Sequence, residues 1–289
     1  MIVSTLITGL ALGSMYGLLA LGFHVTYAVS KTVNFSQGAS MMVGAVLGYT
    51  FAVTFGWPTI PAIVAALLGC AALGLVVERV LVRPFASRGS DLWLMATIAG
   101  GLILENAVLF TFGKEPRSLP SPLASEAISV FGTGAYPLQL IIPVVGLLIA
   151  GLLALVQRRT KLGKAMLAAV QRPEAAELVG VDTRAMIAAS YAISTVFAGV
   201  AGLLIAPLFN VSASMGTIFG IKAFATAIIG GISSAWGVML AGLLYGCVEA
   251  LTTAYLGSSY TQIVSFSMVI LVLVWVPNGL FGRAEVKKV

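Results

Sequence analysis

Nine apolar runs, most of them roughly 20 residues long, leave this chain little choice of fold. They fall at approximately 4–29, 37–55, 60–82, 91–112, 137–157, 186–207, 217–232, 235–256 and 260–281, separated by short charged or Pro/Gly-rich breaks. A helix of that length matches the thickness of a bilayer core, and unbroken apolarity excludes the alternating pattern of a barrel strand. Only 9% of the 289 residues are charged and 59% are hydrophobic, against roughly 25% charge in a soluble domain. The sequence therefore predicts an all-α polytopic membrane protein of eight or nine transmembrane helices, with 1–289 as a single transmembrane domain. The seventh run is short, carries Lys222 and ends in Gly230-Gly231, which leaves a broken or re-entrant helix as an alternative to a full crossing.

Lys and Arg in the short breaks set the orientation. Arg79, Arg83 and Arg88 surround the 83–90 break; Arg158, Arg159, Lys161, Lys164, Arg172 and Arg184 lie in the 157–184 stretch; Arg283, Lys287 and Lys288 end the chain. With nine crossings all three groups share one side, placing the N-terminus outside and the C-terminus in the cytoplasm. That self-consistency favours nine. The net charge of +6 is read as this bias, with no nucleic-acid partner expected. Met1-Ile2-Val3 lacks a basic n-region, so the first run is expected to be a retained span in contact with lipid.

No nucleophile–base constellation, HExxH, CxxC or Walker A sequence is present, so no catalytic residue, metal site or bound cofactor is predicted, and nucleotide binding by the Walker route is excluded. Cys70 and Cys247 sit inside apolar runs as small packing residues. His24, near the inner end of the first run, reads as a packed or interfacial residue.

Small residues recur every fourth position: Gly9, Gly13 and Gly17 in the first run, Gly44 and Gly48 in the second, Gly242 and Gly246 in the eighth. Such rows let helix backbones approach closely where lipid offers no hydrophobic drive, or they line a solute path. The break VNFSQG (33–38) supplies Asn34, Ser36 and Gln37. It is either a capped turn or a polar interruption beside the translocation path. Glu105, Lys222 and Glu249 lie inside apolar runs, where an ionisable group needs a partner or water. With nine crossings all three lie roughly 7–11 Å below the outer boundary. A structural Lys222–Glu249 ion pair, a polar vestibule lining and a proton-coupled site all remain open.

The longest charge-rich break, about 158–184, contains its own helix signal. Pro173 suits a first turn, Glu174 complements the helix dipole, Gly180 suits the stop, and Asp182 can cap the next span. The result is a helix of about two turns over 173–180 that presents Ala175, Ala176, Leu178 and Val179 as a small apolar docking surface.

Glu174-Ala175-Ala176-x3-Gly180 resembles the cytoplasmic loop of bacterial ABC-importer permeases in which a coupling helix engages the ATPase. GLALGSMYGLLALGF (9–23), VNFSQGA (33–39), ERVLVRP (78–84), LGKAMLAAVQRPEAAELVGVD (162–182), GIKAFATAIIGGISSAWGVMLAGLLYGCVEAL (220–251) and VPNGLFGRAEVKKV (276–289) extend the likeness along essentially the whole chain. Together they resemble the branched-chain amino-acid permease family of the LivH type. The resemblance implies a bacterial inner-membrane subunit that pairs with a second related permease and two cytoplasmic ATPases, which use ATP and Mg. A periplasmic or lipid-anchored solute-binding protein would deliver the small-molecule cargo. Members of such a family carry leucine, isoleucine and valine, other amino acids, urea, short amides or aromatic acids. Where the family often has NFAHG, this chain has Asn34-Phe35-Ser36-Gln37-Gly38, so no titratable role carries over to Gln37.

The expectation is a permease of an ATP-driven importer for branched-chain or other hydrophobic amino acids, with no enzymatic activity of its own. A proton-coupled secondary transporter using Glu105 and Glu249, and a non-transport membrane scaffold, are the alternatives of other classes.

Overall fold

The structure, a computed structural model, describes residues 2–130, 132–171 and 173–282, without the side chains of Val170, Gln171, Pro173 and Glu174. Arg172, Arg283, Lys287 and Lys288 of the basic groups lie outside the described residues. The helices are α1 (Ile2–Ser30), α2 (Gln37–Tyr49), α3 (Thr59–Val76), α4 (Arg83–Ala86), α5 (Trp93–Phe112), α6 (Pro137–Arg159), α7 (Lys161–Gln171), α8 (Pro173–Leu178), α9 (Thr183–Ile205), α10 (Met215–Gly230), α11 (Ala235–Tyr255) and α12 (Ser258–Trp275). A π-helical turn, Thr50–Thr54, extends α2, and another, Val77–Val82, joins α3 to α4. The 113–136 loop holds a feature that the apolar pattern does not announce, an antiparallel hairpin of β1 (Ile128–Val130) and β2 (Thr133–Ala135).

Among the described residues seven helices are long and apolar enough to cross a membrane, and α10 is a shorter apolar one. With α2 and its π extension, every one of the nine apolar runs is helical. The seventh run is neither broken nor folded back on itself. Helix α10 is continuous over 16 residues, roughly 24 Å at 1.5 Å per residue. Its first turn follows Val211, which pairs with Arg117 of the 113–136 loop. Its last turn meets the chain after α12, where Leu280 N–H donates to Ile229 at 2.8 Å. The two ends of α10 therefore lie with opposite sets of loops.

Helix α1 is the axis of the bundle. It packs most extensively on α11 and also meets α9, α6 and α10. Its most apolar window is 72% buried, against 17% for α5 and for α12, which form the rim. That is why α1 shows no apolar stripe: a helix surrounded by protein is apolar all round. The glycine rows of α1 and α11 face each other in antiparallel register. A Cβ on Gly9 would come 2.8 Å from Cys247 Cα, and one on Gly13 would strike Gly242 O and lie 2.8 Å from Leu243 Cα. From the other side, a Cβ on Gly242 would lie 2.7 Å from Gly17 Cα, and one on Gly246 would strike Gly13. These five glycines make a close helix crossing. Gly44 makes another, its Cβ position 2.5 Å from Gly199 Cα on α9.

His24 is packed within the bundle. Its Nδ1 lies 2.7 Å from the Ile232 carbonyl and its Nε2 3.1 Å from Gln157 Nε2. Nδ1–H donating to the carbonyl leaves Nε2 to accept from the amide. At the α3–α4 junction the π turn brings Glu78 and Arg83 onto one face, and the guanidinium donates to both carboxylate oxygens at 2.9 and 2.8 Å.

Candidate functional site

The 158–184 loop folds as two helices rather than one. Thr160 caps α7, its Oγ1 accepting from Gly163 N–H at 3.1 Å. Helix α7 then turns its Met166–Ala169 face inward, with both side chains buried. Gly163 is needed there: a Cβ would come 2.5 Å from Gln157 Cα at the end of α6. Helix α8 is shorter than the 173–180 expectation and ends at Leu178. Gly180 adopts φ +86°, the left-handed conformation of a helix stop, and Val181 N–H returns to Ala176 O at 3.0 Å. Asp182 Oδ1 caps α9 by accepting from Ala185 N–H at 3.0 Å. Glu177 ties the two helices together, accepting from Thr183 Oγ1 at 2.6 Å.

One residue of the expected docking surface faces the wrong way for that role. Ala176 is 3% exposed and packs within the chain. Ala175 is exposed, and Leu178 and Val179 are 89% and 78% exposed. The side chains of Pro173 and Glu174 lie outside the described residues. The exposed part of the loop is thus an apolar tip of Leu178 and Val179, with Ala175 beside it.

The VNFSQG turn is buried and internally satisfied. Asn34 Oδ1 accepts from Ser36 N–H at 3.1 Å and from Ser36 Oγ at 2.6 Å. Gln37 Nε2 donates to Ser194 O at 2.8 Å, and its Oε1 accepts from Ser194 Oγ at 3.0 Å. Ser194 also reaches Gly22 O at 2.9 Å. The turn therefore locks α1, α2 and α9 together, and both Asn34 and Gln37 are wholly shielded from the surface. Ser194, on a run with no charge, was not visible to the sequence reading.

Lys222 and Glu249 meet: the ammonium donates to Glu249 Oε1 across the α10–α11 interface and lies 3.4 Å from Tyr16 Oη on α1. The two side chains are 13% and 10% exposed. Glu105 stands apart from that pair, accepting from Thr217 Oγ1 on another face of α10 at 2.7 Å. The common depth of the three residues thus does not make one network.

Two cavities run along α10. The first, about 280 Å³, lies between α2, α5 and α10 and is lined by Gly38, Gly101, Leu102, Thr217 and Gly220, with Phe23, Phe35 and Phe224 at one end. Helix α10 can form this wall closely because Gly216 and Gly220 abut Gly38. The second, about 470 Å³, is lined by Tyr27, Lys31, Ile228, Ser233 and Asn278, again with Phe224. The three phenylalanines come from separate parts of the chain with no shared periodicity, so no pattern in the sequence singles them out.

The family described as "Branched-chain amino acid transport system / permease component" matches residues 5–273. The high-affinity branched-chain amino acid transport system permease protein LivH of Escherichia coli is 33% identical over 97% of this chain and 96% of its own length. The corresponding protein BraD of Pseudomonas aeruginosa is 32% identical over 98% and 97%. The fructose import permease protein FrcC of Rhizobium meliloti is 26% identical over 75% of this chain and 60% of its own. Match of that extent along a bundle of membrane-spanning helices sets aside the secondary-transporter and scaffold alternatives, and the chain belongs to the branched-chain amino-acid permease family of ABC transporters, as a multi-pass, non-catalytic transport subunit.

Proposed function

We propose that this chain forms half of the membrane path of an importer for branched-chain or other hydrophobic amino acids. It pairs with a second related permease, receives cargo from a periplasmic or lipid-anchored solute-binding protein, and is driven by two cytoplasmic ATPases. The basic residues of the 83–90 and 157–184 breaks orient it with the N-terminus outside and the C-terminus in the cytoplasm. The observation that carries the energetic part of this reading is the exposed Leu178–Val179 tip, 89% and 78% exposed on a loop outside the apolar bundle. Large apolar side chains held out at the end of a short helix, with no described residue covering them, suit a groove on a partner. Closure of the ATPase pair then pushes on α8, and the short rigid connection through Glu177 and Thr183 passes that push to α9.

For the cargo, support comes from the curated relatives at 32–33% identity, both described as branched-chain amino acid permeases, and from the mainly apolar cavity beside α10. Urea, short amides and aromatic acids are the competing cargoes within the same class. Ligand binding to the cognate solute-binding protein separates them.

The test replaces Leu178 and Val179 together by Asp in the assembled transporter. Both side chains are solvent-exposed, so folding and membrane insertion persist, while cargo-stimulated ATP hydrolysis and uptake are lost. Normal uptake by that variant would sink the docking role. Replacing the buried Ala176 by Trp is a contrasting control, expected to disturb the loop itself and lower the yield of folded protein.

A further inference from the structure

Phe224 is the one residue among the described ones that lines both cavities along α10. Its ring centroid lies 4.9 Å from that of Phe35 and 5.6 Å from that of Phe23, the latter contact near edge-on at 72°. Phe23 belongs to α1, Phe35 to the locked VNFSQG turn, and Phe224 to α10. Two of the three rings thus sit on the fixed part of the bundle. Phe224 rides on a helix whose closest approach to α2 is made by glycines, Gly216 and Gly220 against Gly38. A helix seated on glycine backbone has fewer interlocking side chains resisting a small slide.

The two cavities differ in character. The first is apolar, floored by glycines, and about 280 Å³ in volume, close to the roughly 300 Å³ lower limit of small-molecule sites. Thr217 at its rim donates to Glu105 at 2.7 Å, so the half-buried Glu105 carboxylate stands next to the lining without being part of it. A half-buried carboxylate facing hydrocarbon is costly, so that rim borders water or protein rather than lipid. The second cavity is lined by Lys31, Ser233 and Asn278 and opens at the end of the bundle that carries the α1–α2 turn and the chain after α12.

Resting on the importer reading above, we propose that the first cavity is a cargo chamber and Phe224 its gate. The chamber takes the aliphatic side chain of a zwitterionic amino acid, whose ammonium group faces Glu105. Phe224, seated on Phe35 and Phe23, closes the chamber from the polar exit cavity. A small displacement of α10 along Gly38 withdraws the ring and joins the two spaces.

The experiment uses the complete transporter, with both permeases, the ATPases and the solute-binding protein, in proteoliposomes with radiolabelled leucine. Phe224→Ala removes both ring contacts, and leucine loaded inside leaks out without ATP about tenfold faster than from the wild type. Phe224→Leu keeps apolar packing and leaks less, which separates gating from failure to fold. Gly101→Leu fills the chamber. A Cβ at Gly101 would sit 3.5 Å from Ser36 Cα, an ordinary contact, so the variant folds and assembles but imports no leucine. A leak-tight Phe224→Ala transporter, or wild-type import by Gly101→Leu, would overturn the chamber and gate while leaving the importer reading intact. Absence of ATP-driven leucine import by the wild type would overturn the importer reading for this cargo, and the ligand assigned to the chamber with it.

Discussion

Lys222→Met and Glu249→Gln, made singly and together, measure what the pair between α10 and α11 does. Each single change strands a charge in a site where the side chains are only 13% and 10% exposed. Breaking a buried ion pair from one side costs about 3–5 kcal/mol, whereas removing both charges is often close to neutral. The site is already short of partners: Glu249 Oε2, Tyr245 Oη and Ser265 Oγ are buried without one among the described residues. The pair is therefore not ideally solvated, and the singles should fall at the lower end, about 3 kcal/mol each. Thermal unfolding in detergent micelles, followed by size-exclusion fluorescence, should show each single variant melting lower by on the order of 10 °C. The double variant should recover most of that loss, giving a coupling of roughly 5 kcal/mol. It should also retain uptake, as expected of a contact that holds two helices together and carries no cargo. Additive losses, with the double variant as unstable as the sum of the singles, would refute direct pairing.

The other expectations concern packing and the polar turn. Gly13→Ala places a Cβ against the α11 backbone, 2.8 Å from Leu243 Cα, so it should destabilise by more than the roughly 1–3 kcal/mol of ordinary overpacking. Gly151→Ala, whose Cβ would meet only the Trp236 ring at 3.6 Å, should be neutral or stabilising by up to about 1 kcal/mol; the same melting assay distinguishes the two. Gln37→Leu strips the donor from Ser194 O and the acceptor from Ser194 Oγ. It should lower stability by about 1–3 kcal/mol, and a melting point unchanged from the wild type would show that the turn does not lock α1, α2 and α9.

Much of this protein could be read from the chain alone. Apolar runs of bilayer length dictate helices because no other element satisfies its backbone without water, and all nine runs are helical. Glycines at every fourth position declare a close crossing because that spacing keeps them on one face, and Gly9, Gly13 and Gly17 do meet Gly242 and Gly246. Local chemistry was equally legible: Gly180 takes the positive φ of a helix stop and Asp182 caps α9.

Contacts between distant segments were decided only by the tertiary structure. Similar depth placed Glu105, Lys222 and Glu249 together on paper, but depth says nothing about rotation around a helix axis. Lys222 turns to Glu249 while Thr217, five positions earlier on α10, turns to Glu105. A difference of five residues is about 140° around a helix, enough to face different neighbours. Ala176 and Leu178 stand two residues apart on α8, and the short helix buries the first and exposes the second. The aromatic cluster of Phe23, Phe35 and Phe224 has no periodic signature because its members come from three elements that meet only when α10 lies across the VNFSQG turn. The run lengths thus determine that this chain spans a membrane as helices, and helix rotation and crossing decide which of its residues line the space between them.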